Sequence, residues 1–232
     1  MITFLAPILL FIAFLLLLLV SLSVPIIKTI FLFRLKAQLE ESFTGASANG
    51  DVTFGVWGYC TGAAEASAFG FSTTRDGSCS RPRLGFSVDS QILEILGLDD
   101  NLDALNKALT AALVLHPIAC GITFIALLIS LFMLRRGSNG LSARLPSFLT
   151  LGFGTVAAIL TTAVFLIDVI MVAILRSRVR DQTDGQVTAV WGNAVWMTLG
   201  ATVATWLAIC GACCGMVMGR RRSRSASTTE RY

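Results

Sequence analysis

FLAPILLFIAFLLLLLVSLSV, residues 4–24, is the stretch on which the fold turns. The run carries no charge, and at about 1.5 Å per residue it reaches about 31 Å, the thickness of a hydrocarbon core. Such a block at the head of a chain is either a cleaved secretory signal or a retained first span. A signal has a basic leading region, an apolar centre of about 7–15 residues and a small-residue cleavage site. Here no basic residue precedes the run, the run is longer, and no A-x-A pattern follows. The block is therefore expected to stay in place as span one, about 4–27. Pro25 near its end costs little at an interface, where water serves the freed backbone carbonyl.

The remaining composition agrees with a retained span. Of 232 residues, 55% are hydrophobic and only 14% charged, and the mean hydropathy is +0.76, far from an ordinary soluble domain. Three further apolar runs predict spans at about 110–134, 149–175 and 193–218. The expected fold class is all-α: a four-transmembrane-helix bundle over residues 1–219, followed by a basic tail at 220–232. Both termini then share one side, with a long loop at 28–109 and a short one at 176–192 on the other. Arg135, Arg136 and Arg144 between spans two and three, with Arg220, Arg221, Arg222, Arg224 and Arg231 in the tail, mark the termini side as cytoplasmic. Lys28, Arg34, Lys36, Lys107, Arg176, Arg178 and Arg180 flank spans on the opposite side, so charge alone casts a weak vote.

Cysteine placement casts a second one. Cys60 and Cys79 are the two that lie outside the spans and their edges, and a pair facing an oxidising compartment is expected to bond. Closing that loop contributes about 3 kcal/mol by the chain-entropy model, useful to an outer region with a modest core. The bland alternative is two free thiols in a disordered loop. Beside Cys60, Gly55 and Gly58 suit backbone angles or close approaches that a side chain forbids, and Trp57 and Tyr59 are amphipathic rings suited to packing on the loop or the interface. Alternation in VTFGVWGY, residues 52–59, predicts a short strand, and RPRLGFSV after Cys79 offers a second extended segment, restricted by Pro82. SQILEILGLDDNLDALNKAL, residues 90–109, reads as a helix leading into span two, with Asp99 or Asp100 as its cap.

Motifs for chemistry are scarce. There is no C-x-x-C, H-E-x-x-H, P-loop or G-x-S-x-G, and one histidine cannot make a His-rich metal site. No catalytic residue, cofactor or metal site is expected. The basic residues adjoin a membrane span without a nucleic-acid-binding motif, so no nucleic-acid partner is expected. Within the spans two ionisable residues stand out. His116 lies about seven residues past the outer start of span two, and Asp168 about seven before the outer end of span three, so both sit roughly 10 Å deep. A carboxylate beside an imidazole favours the charged pair, whereas burial alone neutralises both, which makes the two a candidate proton-responsive pair. The structural alternative is that Asp168 satisfies Thr161, Thr162 or backbone, while His116 merely precedes Pro117 at a helix irregularity.

Small residues mark candidate packing faces. Gly211, Gly215 and Gly219 repeat one turn apart in span four, as Gly154 and Ala158 do in span three, serving contacts within the bundle or a homo-oligomer. Cys210, Cys213 and Cys214 near the inner boundary are candidates for palmitoylation beside the RRRSRS run, whose arginines attract anionic lipids. A stop-transfer anchor explains that run equally well.

In combination, FGVWGYC with a second Cys and a downstream LGF, the ALVLHPIAC start of span two, and SLSVPIIKTIFLF after span one resemble the fungal Sur/PalI family of four-span plasma-membrane proteins with a claudin-like loop motif. The SVPI and LHP segments are more similar to its PalI branch. The resemblance implies a non-catalytic plasma-membrane protein, both termini cytoplasmic, that assists a membrane pH-sensor complex in ambient-pH signalling. It implies membrane lipids and membrane proteins as partners. The alternatives are an organiser of eisosomes, the cortical membrane patches of the other branch, and a small transporter or channel subunit suggested by Asp168 and His116.

Overall fold

A computed structural model of the chain describes residues 5–41, 46–68, 71–82, 102–136, 144–183 and 186–229. Four helices form a bundle: α1 (Leu5–Ser21), α2 (Leu102–Arg136), α3 (Arg144–Gln182) and α4 (Asn193–Thr229). Helices α1 and α3 each pack against both α2 and α4. Among the described residues, three helices are long and apolar enough to cross a membrane, through Leu113–Phe132, Leu149–Asp181 and Asn193–Cys213. Helix α1, with 17 residues, is about 26 Å long, at the lower end of a spanning length.

The bundle core is built from small side chains. Ala13, Leu17, Cys120, Ala201 and Ala204 form one buried cluster, and Leu10, Leu127 and Ala208 another. Alanines at these positions let helix backbones approach, which matters where lipid supplies no hydrophobic drive for helices to associate. Large apolar residues point outward instead: Trp196 is 64% and Ile159 59% exposed, with Ile8, Phe132, Ile170 and Leu207 beside them in character. An apolar exterior of this extent suits a hydrocarbon solvent.

The part outside the bundle carries the disulfide and the short strands expected of the outer loop, and more strands than the sequence announced. Its described residues form a six-stranded sheet with strands β1 (Phe33–Glu41), β2 (Ala46–Phe54), β3 (Tyr59–Thr61), β4 (Ala64–Ala68), β5 (Phe71–Arg75) and β6 (Val187–Trp191). Its order is β5-β4-β2-β1-β6, with β3 on the same edge of β2 as β4. Strand β1 pairs antiparallel with β2, Phe33 opposite Phe54, and with β6, Phe33 opposite Trp191. The short loop between α3 and α4 is thus woven into the sheet of the long one. The period-2 pattern explains why: Phe33, Leu35 and Ala189 are buried while Lys36, Thr188 and Val190 are exposed.

The inner face of the sheet and the outer ends of the helices share one apolar cluster. It holds Leu32, Phe33, Leu35, Phe54 and Val56 from the sheet side with Leu113, Val172, Val179, Ala194 and Val195 from the helices. Phe33 and Phe54 stack with ring centroids 4.6 Å apart.

Two other expectations are revised. The single strand at 52–59 is two strands: β2 ends at Phe54, residues 55–58 turn, and β3 begins at Tyr59. Span one ends as a helix at Ser21 because a proline ring clashes with the carbonyl four residues back, here Ser21. The expected second extended segment, beyond Pro82, and the helix expected from residue 90, up to its continuation in α2 at Leu102, lie outside the described residues.

Candidate functional site

Two constellations stand out, one joining the sheet to the bundle and one inside the bundle. The first is the turn between β2 and β3. Gly55 N–H donates to Gly58 O at 2.9 Å and closes the turn. Its tip is inserted into the segment that follows α1. Val56 N–H donates to Ser23 Oγ at 2.9 Å, Trp57 N–H to Val24 O at 3.3 Å, and the Trp57 indole N–H to Ser21 O. Helix ends leave carbonyls without intrahelical partners, and Trp57 serves one of them at the end of α1. A Cβ on Gly55 would run into the backbone of Val24, so the close approach requires glycine there.

The disulfide backs this turn from the other side. Cys60 and Cys79 are bonded, 19 residues apart in sequence. They hold residues 78–80 against β3, where Tyr59 N–H donates to Ser80 Oγ at 3.1 Å, Ser80 N–H to Tyr59 O at 2.9 Å and Thr61 N–H to Ser78 O at 2.8 Å. A Cβ on Gly58 would meet Ser80 Oγ. Gly55, Trp57, Gly58, Tyr59 and the two cysteines therefore make one compact clamp on the end of α1.

Asn193, at the start of α4, ties the same region from the far side. Its Oδ1 accepts Phe31 N–H at 3.0 Å and its amide donates to Thr29 O at 2.8 Å. Asn at a helix start is a readable capping signal, yet its partners lie 162 and 164 residues away. Sequence reasoning passed over Asn193, Ser21 and Ser23.

The second constellation lies inside the bundle. His116 on α2 and Asp168 on α3 are each 1% exposed, with Nε2 3.1 Å from Oδ2. Thr198 Oγ on α4 stands 3.5 Å from the same Oδ2 and donates to Val195 O at 2.8 Å. Buried charge at such a depth is expensive and is tolerated where it is paired. Asp168 does not bond Thr161 or Thr162. Thr161 donates to Ala158 O at 3.0 Å and lies 3.3 Å from Thr205, and Thr162 donates to Ala158 O and accepts the Trp206 indole N–H at 3.1 Å. Thr202 donates within α4 to Thr198 O at 2.8 Å and reaches Thr161 O at 3.2 Å. Thr198, Thr202 and Thr205 recur at helical spacing, a polar stripe in an apolar span that is visible in the sequence and that sequence reasoning also passed over.

The other candidates sit apart. Among the described residues the Cβ position of Gly211 meets nothing within 4 Å, and the α4 packing seam runs higher, through Ala201, Ala204 and Ala208. Gly154 is 3.5 Å by its Cβ position from Ile209. Cys210 is exposed and Cys213 half-buried, and both are free thiols. Cys214, Gly215 and Gly219 follow on α4, outside the residues whose side chains are described. Among the described residues no group of three or more His, Cys, Asp or Glu is arranged to hold a metal ion.

Comparison with known proteins agrees with this membrane architecture. A family model described as the SUR7/PalI family matches residues 2–208, most of the chain. No curated protein matches it.

Proposed function

Because the chain belongs to the SUR7/PalI family, we propose that it is a non-catalytic protein of the fungal plasma membrane that assists a membrane pH-sensor complex in ambient-pH signalling. It crosses the bilayer four times with both termini cytoplasmic, so that the sheet and its disulfide face an oxidising exterior. Its partners are lipids and other membrane proteins, met along the bundle and on the outer sheet, and copies of itself.

The observation that carries this reading is where its two PalI-like segments lie. Ser23 and Val24 of the SVPI segment receive the β2–β3 turn. The LHP segment brings His116 against Asp168, an ionisable contact just beneath the sheet. The segments by which the chain resembles that branch are thus the ones that fasten the outer part to the bundle and set a buried His–Asp contact under it. Deleting the gene in the source fungus and scoring growth at alkaline pH alongside cortical patches tests the reading. Failure to grow in alkaline medium with normal patches supports it; disordered patches with normal alkaline growth overturn it in favour of a patch organiser.

A further inference from the structure

Viewed down its axis, α4 has two opposed faces. At about 100° per residue, Ala201, Ala204 and Ala208 fall on one side, and all three are buried against the other helices. Trp196, Val203, Trp206 and Leu207 fall on the opposite side and are exposed, as suits a lipid-facing stripe. Cys210 extends that second face: it stands about 40° around the helix from Trp206 and about 160° from Ala208. Cys213 lies about 60° from Cys210, on the side away from the alanines. Both thiols are free, Cys210 exposed and Cys213 half-buried. The lipid-facing stripe of α4 therefore ends in two sulfur nucleophiles.

Their depth is as particular as their direction. Along the axis from Asn193, where α4 starts, Cys210 is about 26 Å and Cys213 about 30 Å away. A hydrocarbon core is about 30 Å thick, and the apolar stretch of α4 closes at Cys213. The two sulfurs thus lie at the membrane boundary opposite the sheet. A chain joined to them there runs into lipid, while a donor in the adjoining water can still reach them. The Cβ position of Gly211, between the two in sequence, meets nothing within 4 Å, so no described neighbour covers the approach at that point. The other described cysteines have no such setting: Cys120 is buried, and Cys60 is bonded to Cys79.

We propose that Cys210 and Cys213 are sites of reversible S-acylation by a long-chain fatty acyl thioester. The cysteine thiolate is the nucleophile. Its sulfur attacks the acyl carbonyl carbon, a new sulfur–carbon bond forms, and the bond from that carbon to the donor's sulfur breaks. The donor leaves as a free thiol carrying the proton that the cysteine gave up, and nothing is oxidised or reduced. Hydrolysis of the new thioester returns the thiol and a free fatty acid. The chain is already held by its spans, so the acyl group is not needed for attachment. It enlarges the lipid-facing side of α4 at one end, and its removal restores that face to lateral contacts. The supply of donor from the cytoplasm rests on the proposed topology, while the placement of the sulfurs does not.

The test is acyl exchange on the full chain taken from membranes of the source fungus. Free thiols are blocked with N-ethylmaleimide, thioesters are cleaved with neutral hydroxylamine, and the thiols released are tagged with a polyethylene glycol maleimide that shifts the band on a gel. With no reductant present, the bonded Cys60 and Cys79 stay out of the count. The expected result is a hydroxylamine-dependent shift in the wild type that persists in C120S and is reduced or lost in C210S/C213S. No shift in the wild type, or an equal shift in C210S/C213S, overturns the proposal. Fragment mass spectrometry of the wild type, which locates the added acyl mass, decides the matter if the double variant does not accumulate. Acyl exchange reads the thioester whichever way the chain is threaded, so its failure sinks the modification alone, whereas surface labelling of Lys28 and Lys36 tests the threading.

Discussion

Gly55→Ala tests the clamp at its tightest point. The added methyl carbon would lie 2.6 Å from Val24 N and 2.7 Å from Val24 Cβ, against an ordinary separation of about 3.5–4.0 Å. The turn or the Val24 backbone must move by about 1 Å. Overpacking of that kind costs about 1–3 kcal/mol. The same movement loosens the bonds from Val56 N–H to Ser23 Oγ and from Trp57 to Val24 O and Ser21 O, each worth about 1 kcal/mol net. Together, with these bonds lost, the local opening free energy of the clamp falls by about 4–6 kcal/mol. At about 1.4 kcal/mol per tenfold change, the protection of the Val56 and Trp57 amides against hydrogen exchange should fall by about three to four orders of magnitude. Gly211→Ala, where an added carbon meets nothing within 4 Å, is the control and should leave those amides unchanged. A Gly55→Ala chain with native helicity and protection within about threefold of wild type would refute the claim that close approach to Val24 holds the sheet in place.

Other perturbations have equally definite outcomes. Replacing both Cys60 and Cys79 by Ser removes a link across 19 residues and should lower the stability of the sheet by about 3 kcal/mol, read as a lower denaturant midpoint for the Trp57 signal with the bundle's helicity retained. Asn193→Ala removes the bonds to Thr29 and Phe31 and should cost about 1–3 kcal/mol; exchange at the Phe31 amide measures it. An impermeant amine reagent applied to intact cells should label the exposed Lys28 and Lys36, and labelling of these lysines only after permeabilisation would reverse the proposed orientation.

How much was legible depends on whether a feature is local in sequence. Trp57 was readable as an amphipathic ring near an interface, but that its indole N–H serves Ser21 O depends on Pro25 ending α1 there and on the turn arriving 36 residues later. The strand read through residues 52–59 was misjudged because alternation continues across Gly55–Gly58, while the backbone reverses there through the Gly55 to Gly58 bond. Strand β6 was passed over because five residues beside a span carry too little periodicity to declare themselves. Their partner, β1, is more than 140 residues upstream.

The sequence alone determined the features that local composition sets: the apolar runs, whose lengths are matched to a bilayer, the cysteines kept outside them, and the similar depth of His116 and Asp168. Depth is a count of residues along an axis, and a chain states it directly. Which way each helix is turned about that axis, which loop lends a strand to which sheet, and which backbone carbonyl awaits an indole are rotations and registers. Only packing decides those, and so only the tertiary structure set His116 against Asp168 across 52 residues and seated the sheet on the apolar outer ends of the helices.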